Sequence, residues 1–262
     1  MVSVSYSINN ILINRIPSML KSLSDITVEI VLPNYNSEAY LSETISSIIN
    51  QTFKNWRLTI VDGNSNIETQ KVLNNYMNNQ NIKIIKLKKN KKAGFCRNLA
   101  IRQSKSDYIA FIDSDDIWEK DKLYKQLDFM IKNNYYFTYT NYQPFKFEKK
   151  KTYLKEIQLP SNFSFEKFTR NTSIATSTMI VKKSVIGNIK FSNTKICEDY
   201  FFKCQILKKV NYAYCLSENL MKYRIRKDSL QSNKMRNLYW IWYINKNYNH
   251  MSFLKNLMSI FF

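Results

Sequence analysis

From Thr27 onward the apolar residues fall into short bursts whose spacing alternates between that of strands and that of helices. Thr27 to Leu32 is a mostly apolar run broken by Pro33-Asn34-Tyr35-Asn36, which predicts a buried strand ending in a loop. Residues 38–50 then carry Leu41, Ile45, Ile48 and Ile49 at helical spacing. Trp56 to Val61 predicts a second strand, stopped at Asp62-Gly63, and Ser65 with Glu68 predicts a capping box for a helix to about Met77. Ile82 to Leu87 is a third strand, and Ala93 to Gln103 a helix carrying Phe95, Leu99 and Ala100. Tyr108 to Ile112 is a fourth strand that runs straight into Asp113, with a helix over roughly 119–132 behind it. This alternation predicts an α/β fold with a mostly parallel sheet, right-handed crossovers and flanking helices. Ligands bind such sheets outside the carboxyl ends of the strands. Asn34, Asp62 and Asp113 each stand just beyond a predicted strand end, so three polar loops converge on one edge.

Beyond about residue 140 the rhythm loosens. Tyr135 to Asn141 and Thr178 to Val181 read as strands, and Glu198 to Lys208 as a helix with Phe201, Phe202, Ile206 and Leu207. Leu238 to Phe262 is an aromatic, amphipathic helical tail, and residues 1–25 form an extension with a short amphipathic helix. No internal repeat or domain linker interrupts the chain.

Composition narrows the class. The 262 residues are 44% hydrophobic, enough for one large α/β domain with a packed core. The formal net charge of +20 points to an anionic partner: nucleic acid, an anionic membrane or a phosphorylated substrate. The densest basic run is Lys83, Lys86, Lys88, Lys89, Lys91 and Lys92, either a solvated loop or a phosphate or lipid contact. Cys96, Cys197, Cys204 and Cys215 form no C-x-x-C pair and His250 is the only histidine, which argues against a zinc site and for reduced thiols in a cytosolic setting. No clean signal peptide opens the chain, and no apolar run reaches the ~18–20 residues needed to span a bilayer.

The chemistry concentrates in Asp113-Ser114-Asp115-Asp116. Residues two apart on an extended segment point the same way, so Asp113 and Asp115 can face one ligand. Carboxylates suit Mg²⁺ or Mn²⁺, which are held by one or two such groups together with substrate phosphates. Asp116 is either a further ligand or the cap of the helix that follows. Two acids after a buried strand are costly unless something pairs with them.

With these residues in view the chain resembles the inverting GT-A glycosyltransferases of the large family 2 group. The resemblance is carried by Val31 to Asn36, Ser46 to Phe53, Val61 to Ser65, Arg97-Asn98 after Gly94, the D-x-D region from Phe111 to Trp118, and Glu198-Asp199-Tyr200. These matches lie in order over roughly residues 27–230. The resemblance implies a GT-A, Rossmann-like fold, with a catalytic domain over 26–235 between the extension (1–25) and the tail (236–262). Its nucleotide-binding half would span about 26–140 and its acceptor half about 141–235. It implies that Pro33 and Tyr35 line the nucleotide pocket, Asp62 contacts base or ribose, and Arg97 supports the nucleotide or pyrophosphate. Asp113 would touch the ribose, Asp115 would hold the metal with Asp116 beside it, and Asp199 would be the general base. Many members carry two acids where this chain has Asp62-Gly63, so base recognition departs from the family pattern here.

Two further clusters stay open between readings. Arg224 and Arg226, alternating on a strand-like segment that runs from Tyr223 to Lys227, share a face and suit a phosphate or a solvated surface; the resemblance implies a flexible lid near the donor diphosphate in this region. Tail aromatics interspersed with Lys246, His250 and Lys255 suit either an interfacial helix on an anionic leaflet or packing on protein. Without the other motifs, Glu198 and Asp199 would simply offset a helix dipole. The expected function is transfer of a sugar from a nucleotide-diphosphate donor, with UDP the expected nucleotide, by a hexosyl- or N-acetylhexosaminyltransferase. The acceptor would be a hydroxyl of lipopolysaccharide, lipooligosaccharide or capsule, with Mn²⁺ or Mg²⁺ as cofactor, at the inner face of the cytoplasmic membrane. A nucleotidyltransferase is the rival enzyme, but it brings a Gly-rich phosphate loop that a chain with three Gly lacks. Nucleic-acid binding is the rival for the charge; no signature of it appears, and the acidic cluster would repel a phosphate backbone.

Overall fold

The computed structural model describes residues 23–147, 150–226 and 233–261. The helix expected in the N-terminal extension therefore lies outside the described residues, apart from a 3-10 turn at Leu23–Asp25. The chain then runs through β1 (Val28–Asn34), α1 (Leu41–Ile49), β2 (Trp56–Asp62), α2 (Ile67–Asn74), β3 (Ile82–Lys86), α3 (Ala93–Gln103) and β4 (Tyr108–Phe111). It continues with β5 (Ile117–Trp118), α4 (Lys122–Lys132), β6 (Phe137–Phe147), β7 (Lys151–Tyr153), β8 (Asn162–Phe163) and α5 (Phe165–Arg170). Last come β9 (Ile180–Lys182), α6 (Lys183–Ile186), α7 (Glu198–Val210), β10 (Ala213–Arg224), α8 (Lys234–Asn247) and α9 (Phe253–Phe261).

All ten strands join one sheet in the order β3-β2-β1-β4-β9-β6-β10-β5, with β7 added to β6 and β8 to β10. The first four are parallel, as the β-α alternation predicts. Beyond them the sheet is mixed, because β9 lies antiparallel between β4 and β6. Strand β10 runs parallel to β6 through register shifts and antiparallel to β5. The boundary expected near residue 140 thus falls inside β6, and one sheet runs through both expected halves.

Side chains alternate between two helical layers, as a sheet covered on both faces requires. Val31, Val61, Ile109 and Phe111 pack with residues of α3 and α7. Ile30, Leu32, Ile60 and Ala110 pack with residues of α1 and α4. The crevice at the sheet's edge has a local cause. The Ile112 N–H donates to Val31 O (3.2 Å), so β1 pairs toward β4 at Val31. Pro33 faces the same side two residues on and has no N–H to give, so the ladder stops and the strands part.

Two helix starts differ from expectation. Asn66, not Ser65, caps α2 by accepting from Thr69 N–H (2.9 Å), because Ser65 is drawn to Asp62. Helix α4 begins at Lys122 because Ile117 and Trp118 pair with β10, and the Glu119 N–H donates to Leu220 O (3.0 Å). Asp116 therefore caps no helix.

Lys122 is fully buried at the first turn of α4, with its ammonium 4.4 Å from the Trp118 ring and donating to Gln126 Oε1 (2.7 Å). Burial pushes its pKa down to about 7. The folded value lies below the unfolded one, so protonation opposes folding at low pH, and that cost fades as pH rises toward the ordinary lysine range. Lys122→Met should therefore stabilise the protein by roughly 1–3 kcal/mol at pH 7, after the lost ring and amide contacts are offset. The gain should shrink toward pH 10; urea midpoints across pH check both magnitude and slope.

Candidate active site

Three of the four parallel strands, β1, β3 and β4, deliver their loops to one cavity of about 550 Å³. From the β1 end come Pro33, Asn34 and the half-exposed Tyr35; from the β4 end come Asp113, Ser114 and Asp115. The acidic segment folds as a turn in which the Asp116 N–H donates to Asp113 O (3.2 Å). That turn separates the three carboxylates. Asp113 and Asp115 line the cavity with side chains 36% and 20% exposed. Asp116, expected as a metal ligand or a cap, is instead buried with both oxygens engaged inside the protein. Its Oδ1 accepts from Arg224 N–H (3.1 Å) and its Oδ2 from Ser177 Oγ (2.5 Å). Burial, with Asp115 and Asp113 beside it, pushes its pKa well up.

Asp62 is likewise placed differently from its expected role at the base or ribose. It is fully buried, with Oδ1 accepting from Asn34 Nδ2 (2.7 Å) and Oδ2 from Gln70 Nε2 (2.7 Å) and Ser65 N–H (3.1 Å). Ser37 Oγ donates to the other end of Asn34. The carboxylate thus braces the β1 and β2 loops behind the cavity wall. Next to it Gly63 donates its N–H to Asn34 O (2.8 Å), and a Cβ there would meet Lys91 O at 2.9 Å. A second acid at this position has no room.

Arg97 joins the two ends of the cavity. Its buried guanidinium donates to Asp113 Oδ1 (2.6 Å) and Glu198 Oε1 (3.0 Å) and lies 5.2 Å from the Phe191 ring. Burial alone would lower its pKa, but Asp113 and Glu198 more than offset that and raise it. Its neighbour Asn98 clamps Phe191 by donating to Phe191 O (2.9 Å) and accepting from Phe191 N–H (2.8 Å). Gly94, one turn earlier, permits the approach: a Cβ there would meet Glu198 Cγ at 2.8 Å.

Asp199 stands at the start of α7, after Cys197 in the left-handed region (φ 60°). Its Oδ2 accepts from Thr176 Oγ1 (3.0 Å) and Lys203 Nζ (2.8 Å). Burial would raise its pKa, but Lys203 and Arg97 overcome this and hold it well below the ordinary carboxylate range. Both acids of the α7 first turn therefore have specific cationic partners besides the helix dipole.

Arg224 and Arg226 fall on one face, as alternation predicts, both over the Tyr40 ring. Arg224 is buried, donating to Asp115 O (2.8 Å) and Glu43 Oε2 (2.5 Å). Arg226 pairs with Asp115 Oδ2 (3.1 Å). Lys227, expected in the same cluster, lies outside the described residues. Sequence reasoning missed Tyr40, Glu43, Thr176 and Lys203, whose partners are remote in sequence or carry no motif. It also missed that Asn237 and Ile241 of α8 line the cavity. Of the lysine run, Lys91 reaches the cavity and Lys92 bonds Thr194 O (3.4 Å).

The donor set suits a cation only in company. Among the described residues no three His, Cys, Asp or Glu groups gather to hold a metal. Burial and the charge of Asp113 raise the pKa of Asp115, a repulsion that a cation would relieve. Two carboxylates completed by diphosphate oxygens match the manner in which Mg²⁺ and Mn²⁺ are held beside nucleotides.

Comparison with known proteins gives the family and the fold. The sequence model of the family described as glycosyl transferase family 2 matches residues 29–190. TuaG of Bacillus subtilis strain 168, a glycosyltransferase assigned to teichuronic acid biosynthesis, is 31% identical over 87% of this chain and 90% of its own. WfgD of Escherichia coli, a UDP-Glc:α-D-GlcNAc-diphosphoundecaprenol β-1,3-glucosyltransferase, is 32% identical over 84% and 85%. In fold the chain is similar to S. aureus TarS 1–349 in complex with UDP-GlcNAc (TM-score 0.70, 20% identity, 89% of this chain, 70% of that one). A longer TarS structure is matched over 40% of its length. Similar too is the mannosyltransferase PcManGT of Pyrobaculum calidifontis with GDP-Man and Mn²⁺ (TM-score 0.67, 12% identity, 87% and 65%). These structural likenesses establish the GT-A architecture.

Arg97→Met removes the buried cation shared by Asp113 and Glu198, whose side chains are 36% and 19% exposed. Losing one partner of a fully buried ion pair costs about 3–5 kcal/mol, and solvent reaching these two acids brings that to about 2–3 kcal/mol. Equilibrium denaturation should register a loss of that size, and nucleotide binding should weaken with it.

Proposed function

The chain belongs to glycosyl transferase family 2, and from that premise we propose that it moves a sugar from a UDP-sugar, with inversion, to a hydroxyl of a lipid-linked surface glycan. The observation that carries this reading is the convergence of Asp113, Asp115 and Asp199 on one cavity, with Arg97 between them. Tyr35, Pro33 and Lys91 form the nucleotide end, where the Lys91 backbone occupies the room of the second acid that many members carry. Asp113 contacts the ribose, and Arg226 exchanges its bond to Asp115 for the donor diphosphate. Asp115, with Asp113 beside it, would hold Mn²⁺ or Mg²⁺, whose charge offsets that developing on the departing diphosphate. Asp62 and Asp116 shape the loops from behind.

In the transfer, the acceptor oxygen forms a bond to the anomeric carbon from the face opposite the diphosphate. The anomeric carbon–oxygen bond to the diphosphate breaks, and its electron pair leaves with UDP. The acceptor's hydroxyl proton passes to Asp199. A carboxylate with a depressed pKa is a weak base in its ground state, but it stays ionised over the working pH range. The attacking hydroxyl becomes strongly acidic as its bond to carbon forms, so this strength suffices.

The lipid-linked acceptor is supported by the activity named for WfgD, which acts on a diphosphoundecaprenol-linked sugar. It is supported also by the tail. Among the described residues no helix is long and apolar enough to cross a membrane. Helix α8 packs one face on the domain through Ile244 and Asn245 and carries Ile241 into the cavity. Outward, Met235, Tyr239, Phe253 and Leu254 remain between 60% and 77% exposed, among the exposed Lys234, Lys246 and Lys255. An apolar patch rimmed by cations suits an anionic leaflet.

Three experiments test this reading. Asp199→Asn should keep UDP binding but slow release of UDP from UDP-sugars by ~10²–10⁴-fold, and Asp115→Ala should abolish the Mn²⁺-dependent part of UDP binding. Normal turnover in the first, or unchanged Mn²⁺ dependence in the second, removes that residue from its role. In flotation assays the chain should bind phosphatidylglycerol vesicles and not phosphatidylcholine vesicles. Phe253→Ser with Leu254→Ser should abolish that binding; retention would sink the membrane contact.

A further inference from the structure

Lys203 is the least expected charge near the cavity. It sits four residues after Asp199 on α7, which places it one turn along the same face. It is 2% exposed, and its ammonium is enclosed by the core. A lysine this deep is costly unless its charge is paired and hydrogen-bonded. Here Nζ donates to Asp199 Oδ2 (2.8 Å) and to Ile174 O (2.7 Å). Thr176 Oγ1, from the 3-10 turn Thr176–Thr178, donates to the same Oδ2 (3.0 Å). Both bonds to the carboxylate therefore converge on one oxygen, and Oδ1 has no partner among the described residues. The 174–176 segment and Asp199 together line the cavity.

We propose that Lys203 and Thr176 are positioning residues that lock Asp199 by its Oδ2, so that only Oδ1 is presented to the acceptor hydroxyl. This rests on the reading of Asp199 as the base. The lock fixes the carboxylate's rotation, so the lone pair that takes the proton has one direction. It also ties α7 to the segment before β9, so the base and the acceptor-side wall move together. A structural ion pair would need only the charge of Lys203; the shared oxygen and the bond to Ile174 O specify an orientation.

Charge follows from the same geometry. Arg97 faces Asp199 from α3, Glu198, Lys203 and the Cys197 thiol from α7 and its cap, and Arg236 reaches this cluster from α8. Burial is the largest influence on Asp199 and favours its protonated form; Lys203 is the largest opposing one. Without Lys203 the pKa of Asp199 should rise, and the acid limb of turnover should climb with it.

The test uses the full chain with Mn²⁺ and UDP-glucose and UDP-N-acetylglucosamine as probes, following UDP release from pH 4.5 to 8 alongside UDP binding. Lys203→Met should leave UDP affinity within about threefold, lower kcat by about 10–100-fold, and bring into this pH range an acid limb that Asp199 does not give in the wild type. Thr176→Val, a smaller change that leaves the lysine in place, should lower kcat by about 3–10-fold with UDP affinity unchanged, and it carries the test if Lys203→Met does not fold. Wild-type kcat and no new acid limb in the folded variants would overturn the proposal while Asp199→Asn remains inactive. Full activity in Asp199→Asn would instead overturn the assignment of the base itself.

Discussion

Everything in the cavity is referred to one buried guanidinium. Arg97 holds Asp113 at the end of β4 with one nitrogen and Glu198 at the start of α7 with another, so the acidic turn after β4 and the first turn of α7 share a fixed separation. The rest of the local structure serves that bridge. Gly94 lets α3 approach Glu198 without a Cβ in the way, and Asn98 clamps Phe191 under the guanidinium. Phe191 stacks on Phe202 of α7 (4.1 Å) and meets Phe111 of β4 (5.6 Å), so the two elements that carry the acids share one aromatic core, and Arg97 of α3 lies over its Phe191 ring. A charge in low dielectric is tolerable only when it is paired, and both terminal nitrogens of Arg97 are engaged by acids, while its buried Nε has no hydrogen-bond partner among the described residues.

The same accounting explains how an acidic cavity survives in a chain of net charge +20. Asp113 and Glu198 share Arg97, Asp115 takes Arg226, and Asp199 takes Lys203. These pairs differ in permanence. Arg97 and Lys203 are nearly inaccessible and belong to the frame, whereas Arg226 is 35% exposed and can exchange its carboxylate for an anionic ligand. The cavity is thus held where proton transfer is proposed and adaptable where a metal and a diphosphate are proposed to bind. A glycosyltransferase has that need, since the base must hold its aim while the nucleotide exchanges each turnover.

The parallel half of the fold was legible because its signals are local: β1 to β4 read directly from apolar runs, and the loops holding Asn34, Asp62 and Asp113 from where those runs stop. The mixed half was legible only in part: Tyr135 to Asn141 and Thr178 to Val181 read as the strands that became β6 and β9. What no local pattern gave was the antiparallel insertion of β9 between β4 and β6, and β10, which pairs with strands far from it in sequence. Orientation was equally hidden. Asp62 and Asp116 are acids after strands, like Asp113 and Asp115, yet both turn inward, because Asn34, Gln70, Ser177 and the Arg224 backbone supply donors no local pattern announces. The α7 acids were legible as a pair, but their partners Arg97 and Thr176 are 101 and 23 residues away.

The central claim is that Asp199 drives attack from the side opposite the diphosphate, which fixes the stereochemistry of the product. Proton NMR of the glycoside formed from a UDP-α-sugar with an α-GlcNAc-diphospholipid acceptor reads this directly. The account predicts a β-linked product, seen as a large trans-diaxial coupling at the anomeric proton of a gluco-configured sugar. An α-linked product would contradict it, since retention needs a different arrangement of nucleophile and leaving group from the one built around Asp199.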